Sequence, residues 1–221
     1  MLSKFLRAAI TKQGSTGLTF ISKTDVDSAS VSSFSITTPA GAANGDILIV
    51  FFSQSTSRTN FTNASFTQIY TAGPSTNPSG NTKGVCSAFV LAGAPVASYT
   101  FTCTLGTTGV AASMLCYRPS KTITQSAVFS TTTQAGTTLT APTITASVAG
   151  LLLCGYFVDT FTGSITPPSG MTVRVNFNGA SATRALCVTE LSVPTGATGT
   201  KISTIPTSAA WNAGSLIIPN V

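Results

Sequence analysis

Histidine is absent, and acids are scarce: among 221 residues only five are Asp or Glu. Without histidine, a Ser-His-Asp or Cys-His centre loses its base, and the common zinc sets lose their main ligand. The carboxylates are Asp25, Asp27, Asp46, Asp159 and Glu190, with no spacing that pairs two of them for glycoside hydrolysis. Asp25 and Asp27 have no EF-hand spacing and read as solvated turn acids rather than Ca²⁺ ligands. Asp46, after Asn44-Gly45, reads as an acceptor for backbone N–H groups in its own turn. No P-loop and no dinucleotide fingerprint is present. The expectation is a protein that is not an enzyme, with no catalytic residue, no cofactor and no metal site.

Charge of either sign is thin. Charged residues make up 7% of the chain, against roughly 25% in an average soluble protein. Ser, Thr, Ala and Gly stand in for them, which leaves little like-charge repulsion between neighbours and suits a protein packed beside copies of itself. The net charge of +6 is spread thinly; only Lys4, Arg7, Lys12 and Lys23 gather, ahead of Asp25. Nucleic-acid binders show a denser stripe or arm, so nucleic acid is not the expected partner. No apolar run nears the roughly 20 residues of a membrane-spanning helix, and the first ten residues lack the long apolar core of a secretory signal. The five cysteines show no Cys-x-x-Cys spacing. In runs such as Met114-Leu-Cys-Tyr and Leu152-Leu-Cys-Gly-Tyr they read as small buried hydrophobes folded in a reducing cytosol.

What is present is β-structure. Ile47 to Phe52 is six apolar residues between turn signals, and it reads as a strand buried on both faces. Ser98-Tyr-Thr-Phe-Thr-Cys-Thr-Leu alternates, with Tyr99, Phe101, Cys103 and Leu105 facing inward. The strands then recur about 100 residues later. Gly150-Leu-Leu-Leu-Cys answers Gly45-Asp-Ile-Leu-Ile, Ser169-Gly-Met-Thr-Val-Arg answers Ser65-Phe-Thr-Gln-Ile, and Ala213-to-Pro219 answers Ala112-to-Pro119. The expected fold is all-β, a jelly-roll-like β-sandwich with internal duplication. Its parts are an arm over 1–23, a first half over 24–120 and a second over 121–221, forming one sandwich or two packed together. The single tryptophan, Trp211, reads as core beside the last strand.

Two segments are candidates for contact with partners. Residues 1–12 set Leu2, Phe5, Leu6 and Ile10 at helical spacing, with Lys4 and Arg7 elsewhere on the wheel. So short a helix forms only against a partner surface, which makes Leu2, Lys4, Phe5, Leu6, Arg7 and Ile10 a candidate docking arm, helical or extended. The polar span after Phe52 offers Arg58, Asn60, Phe61, Asn63 and Tyr70 as a candidate surface-contact loop.

Pro39-Ala-Gly-Ala-Ala-Asn-Gly-Asp-Ile-Leu-Ile-Val resembles a β-sandwich domain of tailed-bacteriophage virion proteins. In that family a Pro-x-Gly precedes a Gly-Asp-Leu/Ile-Leu strand and then a Gly-Trp-Thr turn. Here Ser65-Phe66-Thr67 stands at the turn, and Ser169-Gly170-Met171-Thr172 is a second copy. The resemblance covers about residues 33–219 and implies a structural or adsorption component of the virion, assembled in the bacterial host cytoplasm. It would be attached by its arm at the tail, baseplate or fibre. Other virion subunits, further copies of the chain and a host surface glycan are the implied partners. A capsid decoration protein and a carbohydrate-binding adhesin module are the alternatives. A coat protein of a small RNA virus ranks last, because four arm charges neutralise few phosphates.

Overall fold

A computed structural model of the chain describes residues 17–55, 61–72, 82–90, 95–103, 107–120, 128–159, 161, 163–179 and 184–219. The first half gives β1 (Leu18–Val31), β2 (Ser33–Thr37), β3 (Ile47–Ser55), β4 (Thr67–Ala72), β5 (Thr82–Val90), β6 (Ser98–Thr102) and β7 (Thr108–Pro119). The second half gives β8 (Val128–Ala141), β9 (Thr145–Ala146), β10 (Gly150–Asp159), β11 (Thr172–Gly179), β12 (Arg184–Val193), β13 (Gly196–Ala197) and β14 (Lys201–Pro219). The described residues contain no helix.

The two halves are one topology written twice. Strands run β1-β7-β3-β5-β4 in one five-stranded antiparallel sheet and β8-β14-β10-β12-β11 in the other. A short second sheet covers one face of each. In the first half it is β2 on β6. In the second it is the end of β8 on the start of β14, continued by β9 on β13. Even the isolated bridge Thr62–Thr102 has its counterpart in Thr166–Thr204.

The central strands are buried on both faces, as the run Ile47–Phe52 predicts. Leu48, Val50 and Phe52 point toward Phe34, Ile36, Tyr99 and Phe101 of the short sheet. Ile47, Ile49 and Phe51 point the other way, toward Leu151, Leu153, Leu186 and Leu216 of the second half. The second half has its own core between its sheets, with Cys154, Tyr156, Cys187 and Trp211 inside it. The result is two sandwiches stacked by their large sheets. Each such side chain contributes on the order of 1.5–3 kcal/mol on burial. Across the stack β1 meets β11 and β4 meets β8. Since β8 and β11 are the counterparts of β1 and β4, the contact is reciprocal, like that of a two-fold dimer.

Facing fixes the register of the duplication, because a one-residue slip turns every side chain to the other face. Leu151 pairs with Ile218 as Ile47 pairs with Tyr117, all four in the shared core. Gly150 therefore answers Asp46 rather than Gly45, and Pro219 answers Arg118 rather than Pro119. Of the arm expected over 1–23, residues 1–16 lie outside the described residues, and the part from Leu18 belongs to the first sheet. Leu18 to Lys23 pair with β7, and the Phe20 ring packs edge-on to Tyr117 at 5.5 Å.

One side chain is keyed across the stack. A bulge between Gln68 and Tyr70 turns Tyr70 inward while Gln68 stays exposed. Its ring lies over Gly155 and Gly214, which are ladder partners in β10 and β14. A Cβ on Gly214 would stand 2.5 Å from Tyr70 Cζ, and one on Gly155 3.0 Å from the hydroxyl oxygen. The matching bulge in β11 turns Val175 inward. We predict that Gly214→Val destabilises by about 1–3 kcal/mol through overpacking. Combined with Tyr70→Ala it should cost less than the two single changes added together. Urea unfolding of the four proteins checks this, and strict additivity would refute the contact.

Candidate functional site

The residues singled out for surface contact separate once the chain is folded. Leu2, Lys4, Phe5, Leu6, Arg7 and Ile10 of the arm lie outside the described residues, as do Arg58 and Asn60. Phe61 is fully buried, with its ring 5.0 Å from Phe34 and 6.1 Å from Phe52. Its backbone N–H donates to Gln54 Oε1 at 3.1 Å. Tyr70 is 3% exposed in the shared core. Neither aromatic presents a face to a ligand. A polar flanking sequence suggested exposure, but the apolar ring dictates burial. Asn63 is half-buried and organises its turn, donating from Nδ2 to Thr100 O at 2.8 Å and accepting the Ser65 N–H at 2.8 Å.

Asp25, Asp46 and Glu190 are held in contacts that build the fold. Asp46, 1% exposed, accepts Nε and Nη2 of Arg118 at 2.9 Å each, and the Ala43 N–H at 2.7 Å. The turn bond was legible in the sequence; Arg118, 72 positions away, was not. Arg118 Nη2 also donates to Gly41 O at 2.9 Å, so one guanidinium ties the turn before β3 to the end of β7. Asp25 accepts the Ser113 hydroxyl at 2.5 Å and pairs with Lys23. Asp25 and Asp27 lie on strand β1, not in the turn expected for them. Ladder pairing across β7 accounts for the difference.

Glu190 sits at the junction of the two sandwiches. It accepts the Tyr117 hydroxyl at 2.7 Å from the first half and an Arg174 N–H from the bulge of β11. The Arg174 guanidinium lies 4.2 Å over the Phe20 ring, a cation–π contact that again crosses halves. Burial, with the Glu190 charge beside it, holds the Tyr117 hydroxyl well above the ordinary phenol range, so it remains a donor. Sequence spacing gave no sign of this cluster, because its members come from four strands.

Burial acts in the same direction on three of the described thiols. Cys103, Cys116, Cys154 and Cys187 are buried and form no disulfide. Burial, with the Asp46 charge beside it, pushes Cys116 to about 12; burial pushes Cys154 and Cys187 to about 12 as well. Among the described residues no three His, Cys, Asp or Glu gather as a metal set. What faces solvent on the short sheet of the first half is hydroxyl. Ser33, Ser35 and Thr37 are exposed on β2, and Ser98, Thr100 and Thr102 on β6, with Ser35 and Thr100 bonded at 2.7 Å.

No protein-family model and no curated protein matches this chain.

Two predictions follow from the buried groups. Burial raises the Asp46 carboxyl, but the Arg118 and Ala43 hydrogen bonds and the Arg118 charge outweigh it, holding the pKa below the ordinary 3.8. A depressed pKa stabilises the fold above the unfolded value and loses that contribution as pH falls through the folded one. Asp46→Asn should therefore be less stable at neutral pH, with a shallower loss below about pH 4; an unchanged acid slope measured by urea unfolding would refute this. Cys116, Cys154 and Cys187 should resist maleimide at pH 7 in the folded protein and label fully in urea, read by mass spectrometry of peptides.

Proposed function

We propose that the protein is a non-enzymatic structural component of a bacteriophage virion, associated with the tail, baseplate or fibre. It docks through the segment ahead of β1 and presents the stacked sandwiches outward. The observation that carries this reading is where the charge goes. Asp25, Asp46 and Glu190 are bonded within the fold, the described thiols are buried, and the exposed face of β2 and β6 is uncharged hydroxyl. Such a body has little chemistry to perform and little charge to hold neighbours apart. The resemblance carried by Pro39 to Val50 adds the virion, with assembly in the bacterial cytoplasm and other virion proteins as partners.

A capsid decoration protein rests on the same observation and differs in the particle surface that the arm meets. The adhesin reading loses its two aromatic candidates, since Phe61 and Tyr70 are core residues.

The test uses full-length protein and a version lacking residues 1–16. Removing 1–23 would also strip Leu18 to Lys23 from their ladder with β7. Each is mixed with separated tails and heads and sedimented. Binding to tails, abolished by the truncation, is the expected result. Binding to heads would replace it with the decoration reading. Binding to neither, with retention on cell-surface glycan, would overturn both.

A further inference from the structure

Among the described residues the two large sheets have four edges: β1 and β4 in one, β8 and β11 in the other. A free edge offers a row of backbone donors and acceptors to any passing strand, and proteins blunt such edges with charges, bulges, proline or brevity. Three of the four are blunted here. Strand β1 carries Lys23, Asp25 and Asp27 and breaks register twice, at Phe20/Ser22 and Ser28/Val31. Strand β4 has six residues and a bulge. Strand β11 has a bulge, and Arg174 within it.

Strand β8 is different. Its 14 residues, Val128–Ala141, include no charge and no proline. From Val128 to Gly136 it pairs with β14 without interruption, and the irregularity at Thr204/Ala209 places the extra residues on β14. Among the described residues β14 is its sole ladder neighbour. The contrast with β1 matters because β1 is its counterpart in the duplication: the same edge is charged and broken in one half and smooth and neutral in the other.

We propose that the β8 edge over 128–135 is a self-association edge, pairing antiparallel with the same edge of a second copy of this chain. Two observations select a copy over a foreign strand. With no charged residue on β8, symmetric pairing sets uncharged residues opposite one another in every register, so the like-charge penalty is absent. On a chain of net charge +6, this is a site where identical molecules approach without repulsion. A foreign partner is ordinarily selected by complementary charge, and β8 has none to offer. The joined sheet would have about ten strands, within the range of open sheets. The inference rests on the edge alone, and it deepens the virion reading by naming a partner.

The experiment is sedimentation equilibrium on the full chain in dilute buffer, without particles, so its outcome is independent of docking. Antiparallel pairing of 128–135 with its own copy sets Thr131 opposite Thr132 at the centre of the joined edge, and T131K/T132K sets like charge against like charge there. The expected result is a reversible wild-type dimer, association weakened at least about tenfold in the lysine variant, and recovery when it is mixed with T131E/T132E. Hydrogen exchange on the wild type gives a second reading that needs no variant: amides of 128–135 should gain protection as concentration rises. A wild type that stays monomeric, or a dimer in which those amides exchange at the monomer rate, would overturn the proposal.

Discussion

Each large sheet has to be covered twice. Strand β3 carries Ile47, Ile49 and Phe51 on one face and Leu48, Val50 and Phe52 on the other. Strand β10 does the same with Leu151 and Leu153 against Leu152 and Cys154. A two-stranded cap covers one face of each sheet and leaves the other apolar. Neither half can therefore leave its second face to water without exposing a surface as apolar as a core. The two remaining faces are the same surface in two copies, and they cover each other. Duplication is in this sense a solution to burial: the second half is the first half's missing layer.

The shared interface is not symmetric in detail, and the differences fall where two copies of one face would otherwise collide. Tyr70 occupies a hole made by Gly155 and Gly214, while its counterpart Val175 is a smaller side chain in the same core. An aromatic ring at both positions would require a glycine hole in each sheet, yet the positions answering Gly155 and Gly214 are held by Phe51 and Ser113. One half supplies the knob and the other the hole. The polar cluster has the same one-sidedness: Arg174 and Glu190 come from the second half, Tyr117 and Phe20 from the first. Its bonds are directional, so they select one sliding position among the many that apolar contact alone would tolerate.

How much of this was readable in the sequence depends on the range of the force involved. Period-two alternation is local, so β6 and the double burial of β3 were legible from Ser98 to Cys103 and from Ile47 to Phe52. Recurrence of strand types was legible too. The registers were not, because Gly45 and Gly150 look equivalent as letters and only the facing of Leu151 shows which residue Gly150 replaces. Bulges hide side chains in another way. After Gln68 the alternation resets, so Tyr70 turns into the core although it follows an exposed polar stretch. Phe61 failed similarly: a single ring in a Ser/Thr/Asn-rich span has no periodic neighbours to reveal which way it points. Long-range charge pairs such as Asp46 with Arg118 leave no local trace at all.

The scarcity of charge then acquires a structural meaning. In a protein with ordinary charge content, most acids are solvated and a few are recruited into the fold. Here Asp46 locks the turn before β3, Asp25 ties β1 to β7, and Glu190 joins the halves. With so few acids, these three are a large part of what the chain has. The exposed sheet of the first half is left to Ser and Thr, whose hydroxyls are wetted by water but repel no neighbour. Edges are then the natural places for control over association. β1 retains charge and irregular register and is protected; β8 over 128–136 has neither. A duplicated body whose equivalent edges differ in this one respect has a polarity that its internal symmetry would otherwise deny it, and under the proposed self-association that polarity selects the β8 side for the second copy.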